Sequence, residues 1–252
     1  TAAPVAKETV VAEASVEIPS APVPELIVNA PLVAVRLNAP LPDLIAVDEV
    51  ELVEPIINVF CDLFAGRRDV LLLIKDRNST KEYQQWVNKK KIKYNANIEY
   101  INEHWKSREQ IITFFESVDI HCYLNYSSTW ALPCIQGLKM GIPTITMAYS
   151  GPATYCNDEN SILVDYSLDY VTKDIQYLTS IGCRNYFFLD GYKTNPVWAK
   201  PNINDLSNKM KWAYSNRNNL RKIYAKKAID TANSYSWSNS VISLVSILKK
   251  WF

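Results

Sequence analysis

Several things are scarce in this chain of 252 residues, and each scarcity closes off a class of function. Net charge is nearly absent: 27 Lys and Arg stand against 26 Asp and Glu, leaving +1. That balance supplies no bulk attraction for nucleic acid or an anionic membrane, so neither is expected as a partner. Long apolar runs are missing, and nothing approaches the ~20 residues that cross a bilayer, so no transmembrane segment is expected. Gly-x-Gly-x-x-Gly follows no strand-like stretch and Gly-x-x-x-x-Gly-Lys-(Ser/Thr) does not occur. Their absence argues against a dinucleotide redox domain and a P-loop NTPase. Histidine is reduced to His104 and His121, too far apart and too unaccompanied to suggest a metal site. Cysteines 61, 122, 134, 156 and 183 are odd in number, widely spaced and form no metal-type pair. Reduced, mostly buried thiols in a cytosolic setting are expected rather than a disulfide framework. The opening residues resemble neither a signal peptide nor a transit peptide, so a cytoplasmic location is expected. A start at Thr1 leads us to expect an upstream portion.

What is present divides into two compositions. Residues 1–31 are dominated by Ala, Val, Pro and Glu, which suits a linker or an extension lying along a surface. The remainder, 32–252, is rich in Asn, Lys, Tyr and Ile and long enough for a substantial core. Leu32–Leu37 is a candidate first strand, although prolines crowd it. Asp48–Ala65 carries apolar residues at helical spacing, with Pro55 marking a first turn or kink. Asp69–Lys75 (DVLLLIK) is a continuous apolar strand of the sort buried on both faces of a parallel sheet. A basic helix over Thr80–Lys93, a strand over Asn97–Ile101 and a helix over Ser107–Val118 follow, the last opened by Ser107 with Glu109 and Gln110 nearby. Ser161–Asp165 is a last short strand. Residues 186–198 read as an aromatic loop, and long helices are expected from about Asn204 to Ala232 and from Ser238 to Lys249. Alternating strands and helices predict an α/β, doubly wound parallel sheet with a helical C-terminus.

The stretch 119–150 is where this pattern becomes chemical. An apolar strand over 119–126 runs into Ser127, Ser128 and Thr129, whose hydroxyls can cap a helix. From Trp130, apolar Ala131, Leu132, Ile135 and Leu138 recur at helical spacing. Gly141 can end that helix in a left-handed conformation, Pro143 prevents its continuation, and Thr144–Ala148 is again strand-like. The polar turn thus falls at the carboxyl end of a strand, where open parallel sheets bind ligands and where a helix N-terminus favours phosphate.

These residues resemble the donor-site signature of the GT-B retaining glycosyltransferases, the family 4-like (group 1) kind: Glu-Gly-Phe-Gly-Leu-Pro-x-x-Glu-Ala-x-x-x-Gly-x-Pro-Val-Ile. Leu132, Pro133, Gly141, Pro143 and Ile145 match, Trp130 stands for the aromatic and Ala131 for the second small residue. The two glutamates fall on Ser128 and Gln136, so both carboxylates are replaced. Trp198-x-x-Pro201 with Asp205 and Leu206, then Tyr235-Ser236-Trp237, extend the resemblance over roughly residues 45–249. It implies the Rossmann-like C-terminal half of a GT-B fold, holding a nucleotide-diphospho-sugar as substrate, with no metal and no cofactor implied. An N-terminal acceptor domain, missing from this chain, or a partner protein would supply the acceptor for transfer with retention.

The resemblance also assigns roles. Ser128 would lie near the donor sugar, unless it is simply a helix cap. Gln136 would meet the ribose, keeping an acceptor but losing its charge. Backbone amides of Thr129, Trp130 and Ala131 would help hold the diphosphate. The family's Arg and Lys after its first strand have no matching pair between residues 36 and 50, where Arg36 is the basic residue present. Lys75, at the end of the LLLIK strand, is the candidate phosphate ligand in their place, or else a solvated loop lysine. His104 and Lys139 are read as surface groups, His121 as core, Asp158 and Glu159 as a solvated turn, and Lys89–Lys91 with Lys93 as the solvated face of a helix. No catalytic residue is assigned. Three readings remain open: a donor-binding glycosyltransferase domain, a catalytically inactive binding or scaffolding descendant, and a nucleotide-sugar epimerase of similar fold, which would want acids and histidines absent here.

Overall fold

The run VLLLIKD forms β2 (Val70–Asp76), and its neighbours show why it is so apolar. It lies between β1 (Asp43–Asp48) and β3 (Ile98–Asn102), parallel to both, with Leu72 and Ile74 fully buried on one face and Leu73 on the other. The computed structural model describes residues 43–48, 53–76, 81–103, 105, 107–126, 128–170 and 197–251. All lie in one unit, Pro40–Phe252. The linker over 1–31, the candidate strand 32–37 with Arg36, His104, Cys183 and the loop portion 186–196 fall outside the described residues.

Three more strands join the sheet, β4 (Ile120–Tyr123), β5 (Thr144–Thr146) and β6 (Ile162–Leu163), and four helices connect its strands, α1 (Val53–Phe64), α2 (Lys81–Tyr94), α3 (Arg108–Glu116) and α4 (Leu132–Lys139). The six strands are all parallel, in the order β3-β2-β1-β4-β5-β6. This is the doubly wound arrangement, with its switch point between β1 and β4. Ile56, Phe60 and Val87 of α1 and α2 bury one face against Leu72, Ile74, Ile120 and Cys122. Phe114 and Phe115 of α3, and Cys134 and Leu138 of α4, cover the other, over Leu73 and Tyr123.

Local signals account for several boundaries. Ser107 accepts from the Gln110 amide while the Gln110 side chain accepts from the Ser107 amide, the reciprocal box expected there. Pro55 sits in the first turn of α1, where its missing N–H costs nothing. Gly141 has φ +67, and a Cβ there would also press on Ile229 at 3.0 Å. In α2, Lys89, Lys91 and Lys93 are exposed, whereas Lys90 is half-buried and donates to Asn58 at 2.8 Å.

Three expectations are corrected. The first described strand is Asp43–Asp48, a segment not expected as a strand, so Asp48 belongs to β1 and the helix expected from it is found over Val53–Phe64. The helix expected from Trp130 begins at Leu132, because Ala131 takes a left-handed φ of 56 and breaks the helical path. Leu132 is then 60% exposed, and Cys134 takes the inward position. Beyond Asp165, β7 (Tyr166–Tyr170) pairs antiparallel with β8 (Val197–Pro201), so Val197 and Trp198, expected in a loop, are strand.

Two helices close the described chain. Asn202 caps α5 (Ile203–Ser234), whose 32 residues extend about 48 Å. Its Leu206, Met210, Ala213 and Leu220 join the α1 face, and its Ala228 and Ala232 pack with α4. Ser236 caps α6 (Trp237–Leu248), and none of its twelve residues is buried.

Candidate functional site

The turn between β4 and α4 stands at the carboxyl edge of the sheet, beside the switch point, and is tightly braced. Ser128 Oγ accepts the Ala131 N–H at 3.0 Å. The Ser128 carbonyl accepts both the Gly151 N–H, at 2.8 Å, and the Ser150 hydroxyl, at 2.9 Å. The two backbones approach so closely that a Cβ on Gly151 would stand 2.5 Å from the Thr129 carbonyl oxygen, so only glycine fits. Tyr155 adds another tie, its hydroxyl 2.7 Å from the Trp130 oxygen and 3.1 Å from that of Ala131. Burial holds this phenol well above the usual tyrosine range, which keeps it a donor.

The candidate residues separate on inspection. Ser128 Oγ accepts the amide of Ala131, the residue just before the helix, so it braces the turn and does not cap α4. Thr129 is exposed. Trp130 is half-buried against Tyr155 and Tyr235, with ring centroids 5.4 Å and 5.2 Å away. Gln136 is half-buried at the fifth position of α4, little more than one turn from the helix start, because the helix opens late. Lys75 is not a solvated loop lysine. It is 2% exposed, with its ammonium 4.5 Å above the Trp105 ring. An aromatic face stabilises a buried cation through its quadrupole, so Trp105 offsets part of the desolvation. Lys139 is exposed and donates to Asn233.

The β7–β8 ribbon is fastened over the same edge. Tyr126 stacks on Trp198 at 4.1 Å with planes 21° apart, and the Ala199 N–H donates to the Tyr126 carbonyl at 2.9 Å. Asp205 accepts the Asp165 N–H at 2.8 Å, and the Asn202 N–H donates to the Asp165 carbonyl at 2.8 Å. The Trp198-x-x-Pro201 and Asp205 signature therefore anchors the ribbon and α5 to the sheet.

Sequence reasoning placed His121 in the core, where it lies with no exposed surface. It did not find the polar character of the surroundings. Both His121 ring nitrogens and both Asn125 amide atoms are buried without a hydrogen-bond partner. Burial pushes the imidazole down to about 3, so it is neutral. Its space comes from Gly137 of α4, where a Cβ would stand 2.6 Å from His121 Nδ1. An asparagine closing an apolar strand, at the edge where ligands bind, was the signal available in the sequence. Among the described residues, no group of three or more His, Cys, Asp or Glu is placed to hold a metal ion, and no helix is long and apolar enough to cross a membrane.

No family model and no curated protein matches the chain in sequence. Solved structures do match. The C-terminal domain of a glycosyl transferase group 1 family protein, LpcC from Francisella tularensis, superposes with a TM-score of 0.54 at 13% identity, over 77% of this chain and 87% of that one. Sucrose-phosphate synthase from Thermosynechococcus elongatus matches at 0.59 and 12% identity, over 87% of this chain and 48% of its own. Anabaena HepE, solved in complex with UDP and glucose, matches at 0.55 and 9% identity, over 84% and 49%. This chain has the fold of the C-terminal, Rossmann-like half of a GT-B glycosyltransferase. It spans nearly all of the isolated LpcC domain but only about half of the two longer chains.

Proposed function

We propose that this chain is the donor-binding domain of a glycosyltransferase, holding a nucleotide-diphospho-sugar at the turn between β4 and α4. The observation that carries the reading is the position of that turn: a braced helix N-terminus beside the switch point, in a fold shared with a protein solved with UDP and glucose. Ser128 already occupies the Ala131 amide and Pro133 has no N–H, so the diphosphate would be left the amides of Thr129, Trp130 and Leu132. Gln136 would offer its amide to the ribose, and Lys75 would reach the phosphates only by leaving the Trp105 ring. Transfer with retention would need an acceptor domain as well. The uncovered apolar surface of α6, including Val241, Leu244 and Val245, supports such a domain or partner.

A second reading, a non-catalytic binding or scaffolding descendant, is favoured by the charges at the first strand. β1 ends in Asp48 and the sequence continues Glu49-Val50-Glu51, so acids follow where the family places cations. A thermal-shift screen against UDP-, GDP- and ADP-sugars separates the two, since a ligand that binds only the native state raises the melting temperature. The donor-domain reading expects a shift with one nucleotide class and no transfer by the isolated chain. No shift with any of them leaves the scaffold. Transfer by the 252-residue chain alone would refute the dependence on an acceptor domain.

A further inference from the structure

Behind the braced turn lie two cysteines that the donor-site reading does not use. Cys134 is the third residue of α4, and Cys156 follows the 3₁₀ turn Gly151–Thr154. Both are free thiols, their sulfurs 3.7 Å apart, with Cys134 fully buried and Cys156 5% exposed. The segments that carry them are already held together, since Ser128 receives Gly151 and Ser150, and Tyr155 bonds the Trp130 and Ala131 carbonyls. Sharing the closure to a disulfide of about 2.05 Å moves each sulfur by about 0.8 Å.

We propose that Cys134 and Cys156 are an oxidisable pair that a peroxide closes into a disulfide, locking the head of α4 to the segment behind β5. Cys156, the less deeply buried residue of the two, reacts first. Its thiolate attacks one peroxide oxygen, the O–O bond breaks, and hydroxide leaves with the Cys156 proton as water. The Cys134 thiolate then attacks the resulting sulfenic sulfur, the S–S bond forms as the S–O bond breaks, and hydroxide takes the Cys134 proton as a second water. Two thiols and one peroxide give one disulfide and two waters, with two electrons passing to the peroxide. The order of reaction agrees with the pair's electrostatics. The hydrogen bond between the sulfurs lowers the pKa of Cys156, favouring its thiolate, and raises that of Cys134, which burial raises further. The other described cysteines, Cys61 and Cys122, are buried in the α1-side core, where burial pushes both thiols up.

The test is peroxide treatment of the native chain, alkylation of remaining thiols after unfolding, and non-reducing peptide mapping by mass spectrometry. We expect a cross-linked peptide joining Cys134 to Cys156, an intact mass lower by two hydrogens, and reversal by dithiothreitol. In the Cys134→Ala variant, Cys156 should accumulate as a sulfenic acid trapped by dimedone, while the parent chain traps little. The proposal is overturned if both cysteines are recovered alkylated. It is equally overturned if either joins Cys61, Cys122 or Cys183, or if the parent chain traps as much dimedone as the variant. Should Cys134→Ala fail to fold, the peptide map of the parent chain decides alone.

Discussion

The two faces of the parallel sheet are built differently. Against α1, α2 and the first half of α5 the sheet presents Leu72, Ile74, Ile120 and Ile145 to Ile56, Ile57, Phe60, Leu206 and Met210, a core of hydrocarbon and aromatic surface. Against α3 and α4 it presents His121, Thr144 and Thr146, with Asn125 just beyond the end of β4, all fully buried, and Cys134 and Cys156 close by. The first face holds the molecule together by removing apolar area from water. The second carries buried polar groups that cost free energy, four of whose atoms have no partner. That second face ends at the turn proposed to meet the donor.

The contrast can be broken most strongly from the apolar side. Phe60 is fully buried in α1 and packs on Phe64 at 5.1 Å, so Phe60→Ala is expected to destabilise the chain by about 3–5 kcal/mol, read as a lower urea midpoint. The polar side is sharpened by pH. His121 titrates near 3 when folded and near the ordinary 6.5 when unfolded, so the unfolded chain binds the extra proton between those values. Stability from this group is therefore full above pH 6.5 and is lost as pH falls, by about 3 kcal/mol at pH 4. Urea melts across that range measure it, and His121→Leu should flatten the slope. An equally steep slope in the variant would assign the effect to other groups.

Smaller effects test how closely α4 and its turn are fitted. Gly137→Ala brings a methyl within 2.6 Å of His121 Nδ1 and should cost about 1–3 kcal/mol by thermal melting. Adding His121→Val should recover much of that loss, because the clash is with the ring. At the small end, Gln136→Ala should weaken binding of the nucleotide-sugar found in the screen by about 1 kcal/mol in calorimetry. Gln136→Glu should keep or improve it by restoring a charged acceptor. Parent binding that neither substitution alters would remove Gln136 from the site.

Much of this architecture was legible before the structure because its signals are local. Ser107 with Gln110 marks the start of α3, and VLLLIK reads as a central strand, each within one turn or one strand length. The order of strands and helices then implied the doubly wound sheet. β7 and β8 were not legible because their pairing joins Asp169 to Trp198, and neither strand alternates cleanly enough to declare itself. β1 was hidden for a related reason: DLIAVD is short, begins beside Pro40 and Pro42, and is a strand because β2 and β4 flank it.

The site divides along the same line. The sequence by itself determined that a polar turn would follow a buried strand and that Gly141 would end the helix in a left-handed conformation. These depend on side-chain type and on neighbours a few residues away. Only the tertiary structure decided that Lys75 lies over Trp105, that Trp130 turns toward Tyr155 and Tyr235, and that Cys134 meets Cys156. It also set the demand for glycine at 151, through the carbonyl of Thr129. Each of these contacts joins segments that are distant in the chain. Their geometry follows from how the sheet brings strand ends together, which no local pattern encodes.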